Sequence, residues 1–82
     1  MMKNVKISKH EAIIVLHYFG EEGYYRPGGF EEKLLSALCH ADVNNQDKIG
    51  LGFPGLTAAV QIAQSDTNGL RTLKGIAGRN VI

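Results

Sequence analysis

Glycine, proline and Asx residues cut this chain at short intervals, and that punctuation limits what it can fold into. The stretch Gly20 to Phe30 holds four of the ten glycines and one of the two prolines. Asp42 to Asn45, Gly50 to Gly55 and Asp66-Thr67 interrupt the chain again. The intervening segments have the length of ordinary helices, about a dozen residues.

The first segment carries the clearest start signal. Ser8 followed by Glu11 is a capping box, in which each side chain bonds the other's backbone amide. Ala12, Ile13 and Leu16 follow at helical spacing, and Gly20 suits the position just past a helix end. The run Ile13-Ile14-Val15-Leu16 would also suit a strand. The capping box and terminal glycine decide for a helix over Lys9 to Phe19. A second helix is expected from about Phe30 to Ala41. Glu31 and Glu32 sit in its first turn, where carboxylates favour the dipole, and Leu34, Leu35, Leu38 and Ala41 form its apolar stripe.

A short helical turn is expected over Asn45 to Leu51, with Asn44 as N-cap. Pro54 fits the first position of a further helix that carries Leu56, Ala59, Val60 and Ala63 inward and ends near Ser65. Phe53 should pack inward at that corner. Asp66 or Thr67 would cap a last helix, with Leu70, Leu73, Ile76 and Ala77 facing the core. The expected fold is a single all-α domain over residues 1–82, a bundle of about four helices plus a helical turn. A core this small makes homo-oligomerisation a natural supplement.

Composition narrows the function. A net charge of +1 supplies no basic field for duplex nucleic acid. The longest apolar run, Ala12 to Leu16, is far too short for a membrane span, and the first residues do not read as a signal peptide. Cys39 is the only cysteine, so no internal disulfide forms, as in a reducing, intracellular compartment. No cofactor is expected.

No residue set spells out a catalytic or metal site. His10 and His17 are seven apart, about 10 Å along a helix, too far to share one ion; surface or interface histidines are the plainer reading. Cys39 and His40 are adjacent and diverge by about 100° on a helix, so they do not form a nucleophile–base pair. Gly50 to Gly55 lacks the lysine and Ser/Thr of a phosphate loop.

The loop Tyr24-Tyr25-Arg26-Pro27-Gly28-Gly29-Phe30 combines stacking faces, an anion-pairing fork and glycines that admit close approach. It leads into a helix N-terminus, where free amides can receive an anion. Tyr24, Tyr25, Arg26, Pro27, Gly28, Gly29 and Phe30 are therefore candidate ligand-binding residues. Arg71, Lys74 and Arg79 are possible further cations. The alternative is a packed Ω-like turn with its tyrosines lidding the core, and the sequence leaves both open. Glu21, Glu22, Glu31 and Glu32 flank the loop and oppose a phosphate unless they turn away.

Arg26-Pro27-Gly28-Gly29-Phe30, Leu34-Leu35, Ala41-Asp42, and Gly52-Phe53-Pro54-Gly55 with Ala58-Ala59-Val60 resemble a group of very short proteins of tailed bacteriophages. That group includes anti-defence sponges that sequester cyclic nucleotide second messengers. The resemblance implies a non-enzymatic, homo-oligomeric protein of the host cytoplasm with a cyclic nucleotide or related small anion as ligand. A small protein–protein interaction module that inhibits a host protein is the other expectation, with the same tyrosines, Phe30 and Arg26 as anchors.

Overall fold

The capping box at Ser8 forms as its residues dictate. Ser8 Oγ accepts from the Glu11 amide at 3.0 Å and Glu11 Oε1 accepts from the Ser8 amide at 2.9 Å. It starts α1, Lys9–Tyr18. The helix closes on a Schellman motif: the Gly20 amide donates to the His17 carbonyl and the Glu21 amide to the Leu16 carbonyl. That turn requires the left-handed region, and Gly20 sits at φ 89°.

The computed structural model describes residues 5–78. Among these residues there are five helices and no strand. After α1 come α2 (Gly29–His40), α3 (Val43–Gly52), α4 (Pro54–Ser65) and α5 (Gly69–Ala77). Helix α4 packs against all four others, and α1 packs against α2, α4 and α5. The core lies between α1 and α4, closed by Leu35 and Leu38 of α2 and by Leu73 and Ala77 of α5. In α1, Ala12, Ile14, Val15 and Leu16 are all buried. A helix covered on several sides needs no amphipathic stripe, which explains why its β-branched run also read as a strand.

The interior of the chain differs from expectation at four places. The expected helical turn is a full ten-residue helix, α3, and Asp42 caps it: its Oδ1 accepts from the Asn45 amide at 2.8 Å. Asn44 lies inside that helix. Ala41 follows the end of α2 in extended conformation and is not part of its stripe. Asn68 holds the N-cap position of α5 without a side-chain bond, and Asp66 instead accepts from the Asn68 amide, shaping the turn before it. Phe53 is 41% exposed and does not enter the core. Pro54 does begin α4, as expected. Arg79 lies outside the described residues.

One buried polar cluster fixes α3. Gln46 is 4% exposed. Its Nε2 donates to the Leu38 carbonyl and to Gln64 Oε1, both at 2.9 Å. Gln61 Nε2 donates to Gln46 Oε1, and Gln64 Nε2 to the Cys39 carbonyl. The Leu38 and Cys39 carbonyls at the end of α2 thereby gain donors from α3 and α4, the Leu38 carbonyl in addition to the Ala41 amide. Among the described residues Thr57 Oγ1 is the one buried side-chain polar atom without a partner.

Candidate functional site

Three helix N-termini meet on one side of the molecule: those of α1, α2 and α4. Between them opens a cleft of about 210 Å³. Ile14, Leu34 and Leu56 line its depth, Phe30 and Phe53 line its mouth, and Ser8, His10, Glu11 and Glu31 form its polar side. The Phe30 and Phe53 rings stand 5.9 Å apart and tilted by 50°. Both remain open to solvent, Phe30 at 66%.

The first turn of α2 is built by Glu31. Its Oε1 accepts from the Gly28 amide at 2.9 Å, and its Oε2 lies 2.7 Å from His10 Nε2. The carboxylate only accepts, so His10 donates through Nε2, and its Nδ1 bonds the Tyr25 hydroxyl at 2.8 Å. The His10 and Tyr25 rings also stack, with centroids 5.6 Å apart. The Gly28 amide, and after it the His10 bond, hold the Glu31 carboxyl below the usual carboxylate range.

A second carboxylate lies beside α4. A Cβ at Gly55, in the first turn of that helix, would overlap the Glu11 carboxylate. Only glycine permits this approach. Glu11 therefore caps α1 while standing at the positive end of α4.

The seven candidate residues of the loop separate into two groups. Tyr24 packs against the core and Pro27 is buried. Tyr25, Arg26, Gly28, Gly29 and Phe30 are exposed. Arg26 forms no ion pair among the described residues. At the amide end of α2, considered above as a seat for an anion, the chain's own Glu31 takes the Gly28 amide, and no side-chain cap bonds the amides that follow. Glu21 turns to α5, where it pairs with Lys74 at 2.8 Å. Arg71 is exposed on α5, a helix that packs on α1 and α4 and not on α2.

The two histidines of α1 brace the loop. His17 Nδ1 donates to the Tyr24 carbonyl at 2.9 Å, and His10 reaches the Tyr25 hydroxyl. Their seven-residue spacing, unsuited to one metal ion, lets one helix face hold two consecutive residues of the returning chain. His10, Glu31 and Phe53 are site residues that the sequence reading passed over. The signal for Glu31 was available: its position relative to Gly28 repeats that of Glu11 relative to Ser8.

Both nitrogens of His10 are engaged within the protein. Burial pushes the Cys39 thiol up, away from the reactive thiolate. Among the described residues no group of three or more His, Cys, Asp or Glu side chains is placed to hold a metal ion. No helix there is long and apolar enough to cross a membrane. No family model, no curated protein and no solved structure matches the chain.

Proposed function

We propose that this protein is a non-catalytic binding module that receives an apolar side chain from a protein surface in the cleft between α1, α2 and α4. The observation that carries this reading is the cleft itself: five apolar walls, an open aromatic mouth and a volume of about 210 Å³. Pockets for drug-sized ligands begin at about 300 Å³, whereas one large aliphatic or aromatic side chain suits this space. Exposed aromatic residues in one loop with an arginine that has no ion pair among the described residues are also the composition of interface anchors.

A second reading keeps the cyclic nucleotide as ligand. It is favoured by Arg26, which stands exposed and without an ion pair among the described residues, in the same loop as the exposed Tyr25 and Phe30. Such a ligand would lie across this rim, with its bases on the rings and its phosphate on Arg26. Glu11 and Glu31 oppose a phosphate deeper in the cleft.

Ligand-observed NMR separates the two. Isopentanol, a free analogue of the leucine side chain, should be broadened by the monomeric protein and released in Leu34→Trp, which fills the cleft. A cyclic di- or trinucleotide should show no such effect. Binding of a nucleotide that disappears in Arg26→Ala would instead establish the second reading, and no response to either probe would contradict both.

A further inference from the structure

We propose that the side chain received by the cleft is Leu51 of a second copy of this chain, so that two copies close on each other through reciprocal insertion. The inference rests on the reading of the cleft as a receptor for an apolar side chain, and names the occupant.

Leu51 is the most exposed large hydrophobic residue described, at 88%. It lies in the last turn of α3, two residues before Phe53 at the mouth of the cleft. A knob and a hole so close in one chain fit a two-fold interface, in which each copy offers the same patch and residue contacts are reciprocal. The hole has room for the knob, since about 210 Å³ admits a leucine side chain.

Charge agrees with shape. Lys48 precedes Leu51 by three residues in α3 and therefore shares its face. It is exposed and has no ion pair among the described residues. The cleft carries the opposite sign on its polar side, through Glu11 and Glu31. A leucine flanked by a cation is the complement of an apolar cleft flanked by carboxylates, and the chain carries both halves.

Sedimentation equilibrium across the micromolar range tests this. Wild type should dimerise. Leu51→Asp, which removes the knob and repels the carboxylates, and Leu34→Trp, which fills the hole, should each weaken dimerisation by about tenfold or more. An equimolar mixture of the two variants should recover part of the association, because one intact knob then meets one intact hole. Phe30→Ala, at an exposed site, serves as the hole variant if Leu34→Trp does not fold. A wild type that stays monomeric, or a Leu51→Asp variant that dimerises like wild type, overturns the proposal. If the monomeric wild type still broadens isopentanol and Leu34→Trp does not, only the occupant is wrong. If isopentanol is ignored as well, the receptor reading falls with it.

Discussion

His10 Nε2 stands 2.7 Å from Glu31 Oε2, and this contact ties the start of α1 to the start of α2. On its other side the imidazole holds Tyr25, so one ring joins two helices and the loop between them. Both partners are substantially exposed, 49% and 33% by side chain, so solvent screening keeps the pair's worth low. His10→Ala is expected to lower the unfolding free energy by about 0.5–1 kcal/mol and to release Tyr25, read from denaturant midpoints and Tyr25 ring shifts. An unchanged Tyr25 environment would show that the imidazole does not position the loop.

The pH response follows from Glu31. Its carboxyl titrates lower in the fold than in the unfolded chain because the Gly28 amide and His10 stabilise the ionised form. A group lowered in this way stabilises the fold fully above the unfolded value, about 4.3 for glutamate. That contribution is lost as pH falls through the lowered value. The stability difference between wild type and Glu31→Gln should therefore shrink as the solution is acidified below the usual carboxylate range. A difference that holds constant or grows there would contradict this origin.

Gly55 and Glu11 form a coupled pair. In Gly55→Ala the new methyl displaces the Glu11 carboxylate, which must leave the Ser8 amide. The expected cost is that of a lost cap, about 1 kcal/mol. In a Glu11→Ala background the carboxylate no longer stands in the methyl's way, and alanine's better helix propensity should make the substitution neutral or stabilising. A double-mutant cycle measures this change directly; additive effects would show that the carboxylate does not occupy the space over Gly55.

Thr57 is fully buried and its hydroxyl lacks a partner among the described residues. Replacing it with valine keeps the shape and removes an unsatisfied group, so Thr57→Val should raise stability by about 1 kcal/mol. Gln46→Leu should do the opposite. It leaves the Leu38 carbonyl with only the long bond from the Ala41 amide and removes the Gln46 partner of Gln61 and Gln64, at a cost of about 1–3 kcal/mol. Thermal unfolding of the two variants checks both signs.

Local signals in the sequence went furthest where the relevant contacts were also local. Ser8 with Glu11, Gly20 and Pro54 each specify a helix boundary through residues at most a few positions away, and each does so in the structure. Asp42 was missed as a cap because Asn44 and Asn45 offered the same chemistry within three residues. The Gln46 cluster was illegible, since its partners lie 8 to 18 residues away. The site was half legible. Tyr25, Arg26 and Phe30 do reach the surface, but Pro27 turns inward, Tyr24 packs on the core and Glu31 takes the Gly28 amide at the helix end. Phe53 joins Phe30 only because α4 begins beside α2, a relation that no spacing rule contains.

The receptor reading is tested most directly by methyl NMR of the Leu51→Asp variant during titration with isopentanol. It predicts saturable shifts confined to the methyls of Ile14, Leu34 and Leu56, accompanied by the Phe30 and Phe53 rings and lost when Leu34→Trp is added. Shifts spread evenly over the surface, or centred on methyls outside the cleft, would contradict it.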